Sequence, residues 1–186
     1  IVSGSWGYIT YCSNEYIDGS SPIIITLQEG YYDDFTFDFG WTVSGGITQT
    51  DDGMWERGFS QGTSDNQGQD YNPYGDVIGD CMDFAYVTGI DAGSQIGSND
   101  VDDSNTILTS PIFDLSSNQM YSLSYYSWFQ NNFPWGGGAN DTLTVKISNG
   151  TTLVELETMT SASPDLGQWN LRTFDLDQYI PLTSTM

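Results

Sequence analysis

The stretch NDTLTVKISNG, residues 140–150, decides the fold class of this chain. Within it, aliphatic side chains alternate with polar ones, so one face of the segment is apolar and the other is polar and suited to solvent. An alternation of period two over this length is typical of a half-buried strand. The pattern therefore predicts a β-strand over Asp141–Ser148. Its apolar face consists of Leu143, Val145 and Ile147.

Similar short runs of β-branched and aromatic residues recur along the chain, between clusters of Gly, Asn, Asp and Ser. No segment keeps the 3.6-residue period of an amphipathic helix. This rhythm predicts an all-β, two-layer antiparallel β-sandwich. The predicted strands are Pro22–Leu27, Asp34–Phe39, Met54–Phe59, Asp83–Thr88, Thr106–Phe113, Met120–Phe129, Asp141–Ser148, Thr152–Thr158 and Gln168–Leu176.

Two features refine this picture. In the run Asp34–Phe39, three phenylalanines at alternate positions are predicted to share one face that the core covers. Two long segments, Ser60–Gly79 and Phe129–Ala139, are predicted to be loops, because they are polar or rich in Gly.

The length of 186 residues fits one domain. We expect residues 1–30 to form an N-terminal extension or an edge strand, and residues 31–186 to form the sandwich. Because the sequence after residue 168 predicts only one strand and a turn, the sandwich is predicted to lack its closing strand. Three sources for that strand stay open: the Pro22–Leu27 run, another fragment of the same precursor, or a neighbouring subunit.

Charge excludes several functions. The formal net charge is −22, with only three basic residues, so the chain lacks the cations that a nucleic acid or an anionic membrane surface requires. No apolar run approaches the length of a membrane span. The chain contains no His, which excludes His-dependent triads and the usual zinc sites.

The acids are mostly Asp, 20 of 25, and Asp is the acid of turns and of oxygen-ligand loops. The segment GSNDVDDSNT, residues 97–106, has the density of oxygen donors that suits calcium, although it does not fit an EF-hand. The alternative is a solvated acidic turn on a surface that keeps an exported protein soluble. The predicted calcium ligands are Asn99, Asp100, Asp102, Asp103, Asn140, Asp141 and Asp34.

The loop WFQNNFPWGGG, residues 128–138, combines aromatic rings with neighbouring amides. Rings stack on sugars and amides bond their hydroxyl groups, so the loop is a candidate glycan platform. The alternative is that its aromatic residues belong to the core. The candidate ligand-binding residues are Phe133, Trp135, Asn131 and Asn132.

Cys12 and Cys81 are the only cysteines, and neither lies in a metal-binding pattern. An exported protein with two cysteines usually oxidises them, so a disulfide between Cys12 and Cys81 is predicted. The expected location is extracellular or at the cell surface.

Several motifs together resemble a known accessory module: WERG at 55–58, NDVD at 99–102, LTSPIFDLS at 108–116 and NDTLTVKIS at 140–148. The chain from about Asp33 to Leu176 is similar to the MAM-like jelly-roll domains of exported peptidases and surface adhesins of Bacteroidota-type bacteria. The resemblance implies a calcium-stabilised jelly-roll without catalytic residues. The chain departs from the family pattern at Thr36, where relatives often carry an acidic ligand.

These observations predict a non-catalytic, calcium-stabilised extracellular module that serves adhesion, binding or structural support in a larger protein and assembles by strand addition. The expected partners are a surface glycan or protein ligand and other domains or subunits of the same assembly. One alternative is a carbohydrate-binding module that targets an attached hydrolase. Another is a hydrolase built on paired carboxylates, which no nucleophile motif supports.

Overall fold

The computed structural model describes residues 1–48, 53–91, 96–97, 100–101, 104–117, 119–132 and 141–186. The described chain is all-β, with a single 3-10 turn at Leu176–Gln178. Its strands are β1 (Val2–Ser3), β2 (Tyr11–Cys12), β3 (Thr42–Gly45), β4 (Trp55–Gly58), β5 (Gln61–Ser64), β6 (Asp70–Tyr74), β7 (Ala85–Thr88), β8 (Thr106–Thr109), β9 (Ser122–Ser127), β10 (Leu143–Ser148), β11 (Leu153–Met159) and β12 (Asn170–Asp175).

The strands pair antiparallel, in six two-stranded ladders among the described residues. Three ladders join neighbours in the chain: β1 with β2, β5 with β6, and β10 with β11. The other three join distant strands: β3 with β8, β4 with β7, and β9 with β12. These long-range antiparallel pairs place the chain in the β-sandwich class, which confirms the predicted fold class.

The strand predicted from alternation is present as β10 and pairs with β11. Leu143 lies opposite Met159, and Ile147 lies opposite Val154. The register shifts by one residue between Val145 and Lys146, so Leu156 of β11 is the extra residue of a bulge. The bulge lets the apolar residues on either side of it stay on one face of the ladder.

The core is small and largely aromatic. One cluster joins Trp6 to Tyr31, Phe39 and Phe113, with ring centroids 4.8–6.1 Å from the indole. Rings packed at such distances in tilted or edge-on geometry stabilise each other beyond the area that they bury. Among the described residues, the buried apolar side chains are Ile47, Ala85, Val87, Leu115, Met159, Leu176 and Ile180.

Two predicted strands are wrong. Asp34–Phe39 is irregular, because Phe35 has a φ of 58° and the Asp33 and Asp34 side chains accept hydrogen bonds from backbone N–H groups two residues on. As a result the phenylalanines do not share a face: Phe35 packs on Trp41 and Tyr86, whereas Phe37 packs on Phe39. The Pro22–Leu27 run also forms no strand.

The segment Ser60–Gly79 was predicted to be a loop, but it contains the hairpin β5–β6. Strand β5 reads QGTS and strand β6 reads DYNPY, so neither carries an alternation of aliphatic residues. Ser60 is fully buried and its hydroxyl donates to the carbonyl of Pro73 over 2.6 Å. Polar contacts therefore hold this hairpin.

The last residues of the chain lie along residues 113–115. The Phe113 and Met186 backbones exchange two hydrogen bonds of 3.0 and 3.1 Å, and the Leu115 N–H donates to the Thr183 carbonyl over 2.9 Å. The chain itself thus supplies backbone partners for residues 113–115, and completion of the sandwich by a strand from elsewhere stays a prediction.

Candidate functional site around the disulfide

Cys12 and Cys81 form a disulfide, as predicted, with 5.7 Å between their Cα atoms. The bond links the end of β2 to the loop that precedes β7. It therefore ties the N-terminal extension covalently to the sandwich, across 69 positions of sequence.

Asp34, a predicted calcium ligand, lies directly beside this disulfide. Only 2% of its surface is exposed. One carboxylate oxygen accepts a hydrogen bond from the Cys81 N–H over 3.2 Å, and the other accepts one from the Thr36 N–H over 3.1 Å. The structure thus shows Asp34 anchoring two backbone segments, and calcium binding by this carboxylate stays a prediction.

Two further carboxylates lie near Asp34 and the disulfide, and the sequence analysis did not single them out. Asp76 and Asp80 lie within hydrogen-bond distance of each other, and the Tyr32 hydroxyl donates to Asp80 over 2.8 Å. Burial raises the pKa of Asp76 to about 7. The charges of Asp80 and Asp34 raise it as well, against a hydrogen bond from the Val77 backbone that lowers it.

This acidic cluster, Asp34, Asp76 and Asp80, offers only oxygen donors. Hard oxygen donors suit calcium, and a bound cation would relieve the repulsion that burial intensifies. Among the described residues, however, no three Asp, Glu or Cys side chains converge closely enough to hold a metal ion. The donor atoms of the cluster suit calcium, but the described residues do not form a complete binding site around an ion.

The other predicted calcium ligands are only partly described. Asp100 is half-buried, and its carbonyl lies against Gly53, where an added Cβ would come within 2.4 Å of it. Asp141 is exposed and follows the 133–140 segment. The remaining predicted ligands, Asn99, Asp102, Asp103 and Asn140, lie outside the described residues.

The candidate glycan platform is also partly described. Asn131 is buried, and its side-chain amide donates to the Asp141 carbonyl over 2.6 Å, so it joins the two ends of the segment between them. Asn132 is exposed. Phe133 and Trp135 lie outside the described residues, so their role in ligand binding stays a prediction.

Arg57 of β4 contacts the irregular turn at Phe35. Its guanidinium donates to the Phe35 carbonyl over 2.7 Å and lies 5.5 Å from the centre of the Phe84 ring. Within the part of the chain that the structure describes, its strongest contact is therefore a charge-assisted bond to the backbone. This bond holds the irregular turn at Phe35 against β4.

A second polar network joins two ladders. The Tyr125 hydroxyl of β9 donates to Glu157 of β11 over 2.5 Å, and burial raises the pKa of Tyr125. The Arg172 Nε lies 3.3 Å from the other Glu157 oxygen, and its Nη1 lies 3.6 Å from Asp165. Because these groups pair with one another between β9–β12 and β10–β11, we interpret the network as structural.

Comparison with protein-family models, with curated proteins and with solved structures finds no match for this chain. Among the described residues, none of the helical structure is long and apolar enough to cross a membrane. The chemistry of the site and the architecture therefore carry the functional argument.

Proposed function

We propose that this chain is a non-catalytic extracellular module of the MAM-like jelly-roll type, stabilised by calcium, that binds a glycan or protein ligand at a cell surface. The observation that carries the proposal is the Cys12–Cys81 disulfide with acidic side chains packed beside it. Disulfides persist in oxidising compartments, and extracellular fluid is rich in calcium. A role in binding or support is favoured over catalysis, since the chain has neither a His nor a nucleophile motif.

Calcium is proposed at the predicted ligands of the 99–105 loop together with Asn140 and Asp141. The support is electrostatic, because carboxylates packed this densely repel each other unless a cation neutralises them. In a chain with a net charge of −22, that repulsion opposes folding throughout the molecule. When bound, the ion would supply positive charge and rigidity, and no chemistry beyond that.

Calorimetry and thermal unfolding test the calcium proposal. We expect calcium to bind with measurable heat, and EDTA to lower the melting temperature of the calcium-loaded protein. Asp102→Asn should weaken binding, whereas the control Asp177→Asn removes the same charge from an exposed position in the 3-10 turn and should not. Absence of binding heat, together with an unchanged melting temperature in EDTA, would contradict the proposal.

Arrays of glycans and of extracellular proteins test the ligand proposal. We expect the purified, calcium-loaded chain to bind members of one of the two arrays. Glycan binding that disappears in Trp135→Ala would assign the chain to the carbohydrate-binding alternative. Hydrolysis of an array member without retention on it would contradict a non-catalytic role.

A further inference from the structure

The segment Pro22–Leu27 exposes an unusual amount of apolar surface. Ile23 is 45% exposed and Ile24 is 84% exposed, within a run of three isoleucines. The preceding turn adds the exposed side chains of Tyr16 and Ile17. A contiguous exposed apolar patch on a soluble protein usually marks a contact surface.

The backbone of this segment is also unpaired. Residues 21–27 make no hydrogen bond to any residue that the structure describes, through main chain or side chain. Pairing begins directly after them, where the Gln28 carbonyl accepts the Ile9 N–H over 2.9 Å and Glu29 bridges Tyr8. The segment therefore leads up to the bridged residue Glu29 and presents a row of free N–H and C=O groups, as an edge strand does.

From Ile24 to Leu27, side-chain exposure along the segment alternates. Ile24 and Thr26 are exposed, whereas Ile25 and Leu27 are half-buried. A period of two is the mark of an extended chain with one face on the protein. The inner residues hold the segment in place, and the outer face and the backbone edge stay open.

Charge determines which partner fits this edge. Residues 19–28 contain no charged side chain, in a chain whose net charge is −22. An acidic protein can bring an identical surface against itself only where that surface is neutral. The same neutrality leaves the segment with no charge of its own to attract an ionic partner.

We propose that Pro22–Leu27 pairs antiparallel with the same segment of a second copy of this chain. A two-fold axis at Ile24 places Ile23 opposite the partner's Ile25, so β-branched side chains meet across the new ladder. The same register sets Asp18 opposite the partner's Gly30, and Glu29 opposite the partner's Gly19. No carboxylate then faces another directly. The inference deepens the proposed function by naming the segment through which the module assembles.

Sedimentation tests the association directly, with or without calcium and without any surface ligand. We expect the wild-type chain to form dimers in a concentration-dependent way, and more so at high salt, because salt screens the repulsion between two acidic copies. Ile24→Asp should abolish the dimer. The matched control is Ile78→Asp, which adds the same charge at a side chain that is 102% exposed and should leave the dimer intact.

Hydrogen exchange gives an independent measurement on the same samples. Alternate backbone amides of residues 23–27, those whose N–H groups face the partner strand, should become protected as the concentration of the wild-type chain rises, but not in Ile24→Asp. A chain that stays monomeric at every concentration and salt, with these amides exchanging freely, would overturn the proposal and leave the segment to a different occupant. Association that Ile24→Asp does not weaken would overturn it as well, whatever the outcome of the calcium and array experiments.

Discussion

Aspartate shapes the loops of this chain at the scale of single residues. In six places among the described residues, an Asp side chain accepts a hydrogen bond from the backbone N–H two residues on, which is an Asx turn. These turns give the excess of Asp over Glu a structural role that does not depend on calcium. The residues are Asp18, Asp33, Asp34, Asp38, Asp65 and Asp114.

Asp76 should make stability depend on pH in calcium-free buffer. Its folded pKa of about 7 lies above the ordinary value of 3.8, so the folded state holds a proton that the unfolded state has lost. Its contribution to stability is complete below pH 3.8 and is lost as the pH rises to about 7. Asp76→Asn should reduce this loss of stability with rising pH. It should also raise the unfolding free energy at neutral pH by about 1–2 kcal/mol, a value reduced for solvent screening because the carboxyl is only half-buried.

Urea unfolding of both proteins between about pH 4 and about pH 8, a window that extends roughly one unit above the raised pKa, measures this effect. Parallel curves for the two proteins across the whole window would contradict the assignment.

At the scale of elements, the ends of β3 and β8 approach each other very closely. An added Cβ at Gly45 would lie 2.3 Å from the Asn105 carbonyl oxygen, and the residue has a φ of 123°. Gly46 donates its N–H to the same carbonyl over 2.9 Å. Glycine is therefore required here both by conformation and by space.

Gly45→Ala should consequently destabilise the fold strongly, by about 3 kcal/mol, since it adds a clash with the backbone to the cost of a left-handed conformation. Gly68→Ala is the matched control, because its φ is 83° and an added Cβ would meet nothing within 4 Å. It should cost only about 1 kcal/mol. Thermal and urea unfolding of both variants measure the difference, and equal losses would show that the close approach at Gly45 does not matter.

At the scale of the whole molecule, a small aromatic core has to hold together a strongly acidic chain. Few apolar side chains are fully buried among the described residues, whereas the net charge is −22. The disulfide compensates, because it restricts the unfolded chain that self-repulsion would otherwise expand. Stability should therefore depend on oxidation more than it does in a protein with a large core.

Cys12→Ser combined with Cys81→Ser should lower the unfolding free energy by about 4 kcal/mol, from the entropy of closing a loop of this length. Urea unfolding measures the loss, and high salt should restore part of the stability of the variant by screening repulsion. The wild-type chain with its disulfide reduced serves as the control, because it loses the bond but keeps both side chains. A double variant as stable as the wild type would show that the extension is held by its packing alone.

The sequence by itself determined the all-β class, strand β10 and the pairing of Cys12 with Cys81. Alternation is a local property that a strand carries in its own residues, and two cysteines leave one pairing. Low positive charge likewise argues against nucleic-acid binding from the sequence alone.

Tertiary structure alone decided the rest. Side-chain hydrogen bonds replaced a ladder at Asp34–Phe39, although its alternating phenylalanines indicated a strand. Polar contacts formed the β5–β6 hairpin, which has no apolar period. The chain path brought Asp76 and Asp80 together beside Asp34, which lies far from them in sequence. The turn at Phe35 is held by Arg57, and the acidic cluster joins segments that are distant in the chain, so neither outcome can be read from a local pattern. The hairpin is local, but its polar contacts leave no apolar period for a sequence pattern to report.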